Sequence, residues 1–120
     1  MNPRKKKRAE ELLRRELSNI ILYEMRDPRT GFVTLTQVEL AEDQRSAKVK
    51  LTVRGSQEEV DQTLRALHHA RGYMQSLIAD RIKLRWTPVL SFALDKDVLE
   101  AMRIDRLIDK TMREDDQLEP

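Results

Sequence analysis

Basic side chains cluster in the middle of this chain of 120 residues. Five basic residues and a single acidic one, Asp80, lie between positions 65 and 85. The basic residues are Arg65, Arg71, Arg81, Lys83 and Arg85. The planar guanidinium of arginine meets two phosphate oxygens at once, and such contacts weaken as salt is added because binding releases counterions. We therefore predict that the last four of these residues bind the phosphates of a nucleic acid.

Other basic residues extend this predicted contact surface. Lys48 and Lys50 alternate with apolar residues, which places them on the outer face of a predicted strand. Arg14 and Arg15 follow a basic leader at residues 1–8. Two interpretations of the leader stay open: it is disordered alone and orders against phosphates, or it is a solvated end. The distribution of charge as a whole also has a second interpretation besides nucleic-acid binding, namely a mixed-charge surface that only keeps the protein in solution.

The two histidines do not indicate a catalytic or metal-binding unit. His68 and His69 are adjacent, and neighbouring side chains on a helix point about 100° apart, so the pair does not readily share one metal ion. The sequence has no HExxH motif and no glycine-rich phosphate loop. We expect surface or half-buried histidines, no metal, no cofactor and no enzymatic activity. Core or edge packing is favoured for Phe92, while Trp86 is left open between packing and stacking on a base.

Composition narrows the class of protein. The absence of cysteine excludes disulfides, zinc-thiolate sites and a cysteine nucleophile, and it fits the reducing cytoplasm. No apolar run approaches the roughly 20 residues of a membrane span, so we expect a soluble protein. The net charge is only +2, but residues 1–15 carry seven basic and two acidic residues, and residues 16–64 carry six and nine. Such segregation favours a partner with a large charged surface, above all nucleic acid.

Residue spacing predicts one helix followed by a β-hairpin. Apolar residues at helical spacing predict a helix from Ala9 to Met25, ended by Asp27-Pro28. Its apolar stripe consists of Leu12, Leu13, Leu17, Ile20, Ile21 and Met25. Two strands follow, at about residues 32–40 and 46–53, and their short polar connection predicts an antiparallel hairpin. In the second strand the apolar residues should face the helices.

A long helical segment, residues 57–83, is interrupted at Ala70-Arg71-Gly72. A glycine inside such a pattern marks a kink, a cap or a close contact, so we predict two helices joined there, with Ala70 and Gly72 as the structural kink. Ser56 and Glu59 have the spacing of a capping box. A third strand should span about residues 85–94 with Pro88 near its start, before a short C-terminal helix and an acidic tail. The whole is an α+β arrangement, with helices on one face of a three-stranded sheet.

This order and several local motifs together resemble the ribosome-binding factor A family. The matching pieces are Asp27-Pro28-Arg29 with Gly31, Val33-Thr34-Leu35-Thr36, Ala47-Lys48-Val49, Ala70-Arg71-Gly72, Leu84-Arg85 with Pro88, Leu90-Ser91-Phe92 and Arg103-Ile104. They extend over roughly residues 8 to 108. No single motif is specific to this family, but the order and spacing of the motifs together are specific.

The resemblance implies a type II KH-like domain with the order α-β-β-α-kink-α-β. Ordinary KH domains clamp the nucleic-acid backbone with a GXXG loop between two helices; this family has an Ala-x-Gly kink there, which Ala70-Arg71-Gly72 fits. The domain would occupy residues 9–95, after the leader 1–8 and before a C-terminal helix and tail at 96–120.

The family's activity is then also implied. It binds the small (30S) ribosomal subunit and 16S rRNA, assists late maturation including processing of the 16S 5′ end, and is needed for growth in the cold. It acts by binding rather than catalysis, as a monomer away from membranes, and other assembly factors or a GTPase would release it. Two further classes stay open: a KH-like single-stranded RNA or DNA binder that acts away from ribosomes, and a protein-interaction module.

Overall fold

The computed structural model describes residues 2–25, 32–98 and 100–101. Within these ranges, three α-helices and three strands follow one another in the order α-β-β-α-α-β, with a π-helical turn after the first helix. The elements are α1 (Pro3–Asn19), β1 (Phe32–Leu40), β2 (Ser46–Arg54), α2 (Gln57–His69), α3 (Arg71–Arg81) and β3 (Val89–Leu94). The α+β arrangement predicted from the sequence is confirmed. No helix within the described ranges is both long and apolar enough to cross a membrane.

Helix α1 begins earlier than the apolar spacing predicted. It starts at Pro3 instead of Ala9, so residues 3–8 of the basic leader are helical. The Asn2 side chain accepts a hydrogen bond of 2.8 Å from the Arg4 backbone N–H, and proline is favoured in a first turn because its missing N–H is not needed there. The end of the helix widens into a π-helical turn at Ile20–Glu24, closed by a bond from the Met25 N–H to the Ile20 carbonyl.

The sheet has the order β1-β2-β3. β1 and β2 form the predicted antiparallel hairpin, with a bulge at Thr36 where the register shifts between Leu35 and Gln37. β3 lies parallel to β2 and is shorter than expected, because it begins after Pro88, which has no N–H to donate.

All three helices pack on one face of the sheet. In β2 the predicted apolar face is confirmed, since Ala47, Val49 and Leu51 are buried while Lys48 and Arg54 are exposed. The fully buried residues from the helices and from β3 complete one core: Leu13, Leu17, Ile20, Leu67, Met74, Ile78 and Leu90. The other face of the sheet carries polar and charged side chains, among them Lys48, Lys50 and Glu39, together with the exposed Val89.

The junction between α2 and α3 lies at Ala70, which ends one helix and begins the next. The capping box that starts α2 is confirmed, because Ser56 and Glu59 bond each other's backbone N–H groups. Gly72 lies in the first turn of α3, outside the left-handed region, and apart from its chain neighbours and the backbone of its own helix nothing lies within 4 Å of where its Cβ would be. Neither backbone conformation nor a close contact therefore requires glycine at that position.

The chain turns helical again after Asp95, at residues 96–98 and 100–101. The remainder of the predicted C-terminal helix, the acidic tail, and the Asp27-Pro28-Arg29 and Arg103-Ile104 motifs lie outside the described residues.

Candidate nucleic-acid interface

Three segments meet at one end of the sheet, which we call the basic end: the start of α1, the β1–β2 turn and the connection at residues 82–88. Lys6 pairs with Glu42 in the turn at 2.9 Å, and Glu10 accepts the Leu40 backbone N–H at 2.7 Å. The Val89 N–H donates to the Arg45 carbonyl at 2.9 Å, which joins the turn to the start of β3. These bonds bring together cations that are far apart in the sequence.

A groove of about 440 Å³ runs between α1 and the residues that follow α3. Its rim carries Lys5 and Arg8 from the leader and Lys83 from the central basic block. Its floor includes Leu12, which the helical pattern assigned to the apolar stripe and which is 41% exposed. The groove thus unites the two basic segments of the sequence around an apolar floor.

Two arginine side chains lie against the exposed ring of Trp86, which follows the groove residues Lys83 and Leu84 along the chain. The guanidinium carbon of Arg45 lies 4.5 Å from the ring centroid, and that of Arg85 lies 5.7 Å from it. Both distances fall within the range of cation–π attraction. The sequence pattern missed Arg45, treating it as part of a polar turn. Only the parallel pairing of β2 with β3 makes it a neighbour of Trp86, and no local pattern carries that information.

Arg81, one of the predicted phosphate contacts, is already paired with two carboxylates. It donates to Glu24 at 2.6 Å and lies 3.5 Å from Glu16. The hydrogen bond to Glu24 raises the pKa of Arg81 and lowers the pKa of Glu24. This pairing ties the end of α3 to the last turn of α1 and to the π-helical turn that follows it, so the charge of Arg81 is already matched by structural partners.

Two more predicted contacts are paired in the same way. Arg14 donates to Glu11 at 3.0 Å, one turn earlier in α1. Lys50 lies 2.8 Å from Glu39 across the hairpin, and the hydrogen bond to that carboxylate raises the pKa of Lys50. These cations meet phosphates only by giving up carboxylate partners.

The other five predicted contacts, Arg71, Lys83, Arg85, Lys48 and Arg15, have no ion pair with any residue that the structure describes. They do not share one surface. Lys83 and Arg85 lie at the basic end, while Arg71 lies at the other end of α3, about 15 Å away along the helix axis. Lys48 lies on the outer face of the sheet.

His68 and His69 are both found at a shallow pocket lined also by Leu64, Arg65 and Phe92. Among the described residues, no group of three or more histidine, aspartate or glutamate side chains is arranged to hold a metal ion. In the part of the chain that the structure describes, the features of the basic end that suit a ligand are its cations without ion pairs and the Trp86 ring.

Comparison with known proteins identifies the family. A profile described as ribosome-binding factor A matches residues 5–108. The chain belongs to the ribosome-binding factor A family. Ribosome-binding factor A of Halothermothrix orenii is 39% identical over 116 residues, which cover 97% of this chain and 95% of that protein.

Solved structures of the ribosome-binding factor A family share the fold. The crystal structure of the factor from Thermus thermophilus matches with a TM-score of 0.67 at 29% identity, covering 74% of this chain and 94% of its own. A homology model of the Thermus thermophilus factor, fitted into the cryo-EM map of a 30S–RbfA complex, matches with a TM-score of 0.59 at 28% identity, covering 70% and 88%. The fold is accordingly type II KH-like, with Ala70-Arg71-Gly72 between the two helices where GXXG would stand.

Proposed function

We propose that this protein binds the small (30S) ribosomal subunit through its 16S rRNA. The observation that carries the proposal is the basic end, where cations from α1 and from residues 82–88 converge on one groove without ion pairs to any described residue. Membership of the ribosome-binding factor A family supports it, as does the likeness to a factor fitted into a 30S complex. The basic end is the surface that we assign to the RNA.

In this proposal the protein acts by binding and holds an RNA conformation during late maturation of the subunit, including processing of the 16S 5′ end. Its role would be greatest in the cold, where misfolded RNA rearranges slowly. It works as a cytoplasmic monomer away from membranes and without cofactor or metal, and another assembly factor or a GTPase releases it. The resemblance to the family supports these steps.

Charge reversal at the groove tests the proposal. We expect Arg8→Glu with Lys83→Glu to weaken co-sedimentation with purified 30S subunits by about ten-fold or more, because two phosphate contacts become repulsive. Both side chains are exposed and lack ion pairs within the described part of the chain, so the fold should persist in circular dichroism.

A matched control reverses two charges at the far end of the sheet, Arg54→Glu with Lys96→Glu. Arg54 lies about 26 Å along β2 from its start at the basic end, and Lys96 follows the distal end of parallel β3. This variant should bind nearly as well as wild type. Equal binding by the groove variant and the control would refute the assignment of the RNA surface.

A second candidate is a single-stranded RNA or DNA binder that acts away from ribosomes, and the exposed Trp86 favours it. Crosslink mapping after sedimentation of cell lysate separates the two: the assembly factor crosslinks to 16S rRNA in small-subunit fractions, whereas the alternative is found with other RNA or DNA. A protein-interaction module would instead bind its partner regardless of salt and ribonuclease.

A further inference from the structure

We propose that Trp86, Arg45 and Arg85 form a subsite for one unpaired RNA base and its adjoining phosphates. The inference deepens the proposed function, on which it rests, by naming a site for a single-stranded segment beside the basic groove. The three residues come from the β1–β2 turn and from the connection that precedes β3.

The Trp86 ring is presented to solvent from an anchored segment. It is 40% exposed, whereas Pro88 is fully buried and Leu84 packs against the core, so the segment is held on both sides of the tryptophan. Val89, the first residue of β3, is also an apolar side chain at the surface and is 53% exposed. A large aromatic held at the surface in this way offers a flat face to a ligand.

The charges around the ring indicate an anionic ligand. The guanidinium groups of Arg45 and Arg85 both approach the ring, and within the described part of the chain neither guanidinium forms an ion pair with a carboxylate. Two like charges held at one ring repel each other, and an anion between them relieves that repulsion. A nucleotide supplies both groups that this cluster suits, a phosphate for the guanidiniums and an aromatic base for the ring.

The ligand must be single-stranded where it meets the ring, because a base inside a duplex has its faces covered by its neighbours. Arg85 lies 1.2 Å further from the ring centroid than Arg45 does (5.7 against 4.5 Å), so a base that displaces Arg85 gives up the weaker contact. The Arg45 backbone stays fixed through the bond from the Val89 N–H to its carbonyl. The displaced Arg85 guanidinium then meets the adjoining phosphate.

Trp86 is the only tryptophan of the chain, so its fluorescence reports on this site alone when excitation avoids the two tyrosines. Titration with a short oligoadenylate should quench the emission to saturation. A blunt-ended RNA duplex without a loop and inorganic polyphosphate should bind with little quenching, since both supply phosphates without an unpaired base. Saturating oligoadenylate binding by anisotropy with unchanged emission, or equal quenching by polyphosphate, would overturn the subsite.

Two substitutions distinguish stacking on an aromatic ring from contact with any large apolar side chain. Trp86→Leu should weaken oligoadenylate binding about five-fold or more and leave duplex binding unchanged, because leucine is apolar but has no π-face. Trp86→Phe should recover most of the affinity, and thermal unfolding should show that both variants keep the fold. Equal affinity of the leucine and phenylalanine variants would overturn the subsite.

Binding of the same variants to 30S subunits tests this inference separately from the proposed function on which it rests. Weaker sedimentation of Trp86→Leu than of Trp86→Phe supports the subsite. If both bind like wild type while Arg8→Glu with Lys83→Glu does not, the subsite is wrong and the proposed function stands. If the groove variant also binds like wild type, both the subsite and the assignment of the basic end as the RNA surface are wrong.

Discussion

The buried carboxylate of Asp95 joins three parts of the fold. The side chain is only 5% exposed and accepts a hydrogen bond from the Thr36 hydroxyl, which the bulge in β1 presents. Its other oxygen accepts the backbone N–H groups of Asp97 and Val98 at 3.1 and 3.2 Å. Asp95 therefore caps the helical turn that follows β3 and ties it to the edge of the sheet.

The hydrogen bonds from Thr36 and from the Val98 N–H lower the pKa of Asp95 below its ordinary value of 3.8. A group whose pKa is lowered by folding stabilises the protein above the pKa of the unfolded chain, and this contribution is lost as pH falls toward the folded pKa. We predict that acid lowers the urea midpoint of wild type more steeply below about pH 5 than that of Asp95→Asn.

Thr36→Val is the matching control for the Asp95 prediction. It removes the largest cause of the lowered pKa, so its acid dependence should lie between the other two. Parallel acid profiles for wild type and Asp95→Asn would show that this carboxylate does not contribute to the pH dependence of stability.

Arg81 shows that a cation's sequence neighbourhood does not determine its role. Among the acidic residues, only Asp80 lies near it in the central block, yet Glu16 and Glu24 neutralise it in the fold. Reversal of its charge would place a third carboxylate beside those two. Loss of binding in an Arg81→Glu variant would consequently not identify an RNA contact, which is why the groove residues are the sharper test.

At the scale of elements, the junction of α2 and α3 gives a prediction about Gly72. Its backbone suits any residue and the space for a Cβ is open. Gly72→Ala should therefore stabilise the protein by about 0.4–1 kcal/mol, because alanine loses less conformational entropy on folding. Chemical denaturation of the two proteins measures the difference.

Gly72→Pro is the contrasting variant at the same position. Proline disfavours helical geometry at the residue before it, and Arg71 is already within α3, so the junction should be disturbed and the protein destabilised. A destabilised alanine variant would mean that Gly72 has a role in the junction that the local geometry does not require.

At the scale of the whole molecule, the spacing of the free cations sets the salt dependence of binding. The basic end carries Lys5, Arg8, Arg45, Lys83 and Arg85. Lys48 lies beside it on the outer face of the sheet, in a pocket that Lys6 also lines, whereas Arg71 and Arg15 lie elsewhere. If the first group binds phosphates, a plot of log affinity for 30S subunits against log salt should have a slope of about −3 to −5.

The groove variant sharpens the salt prediction. Arg8→Glu with Lys83→Glu should make the slope shallower by about 2, since two phosphate contacts are lost. The control Arg54→Glu with Lys96→Glu should keep the wild-type slope. A flat salt dependence in the wild type would favour a protein partner instead of RNA.

The elements could be predicted from the sequence because each depends on residues that are close along the chain. Alternation in β2 and the Ser56–Glu59 capping box are local patterns, and both appear in the structure as predicted. Predictions were wrong at the ends of two elements. α1 starts at Pro3 because Asn2 caps it there, and β3 starts at Val89 because Pro88 has no N–H to donate, and the apolar spacing contains neither effect. The type II KH-like order followed from the motifs taken together.

The candidate site depended on the tertiary structure. The sequence by itself determined that the chain carries two basic blocks and an undecided tryptophan. Only the fold decided that Arg81 is neutralised by Glu24, which lies 57 positions away, and that Arg45 reaches Trp86 through the parallel pairing of β2 and β3. Ion pairs and ring contacts depend on distances of a few ångströms across elements, and spacing along a chain does not contain those distances.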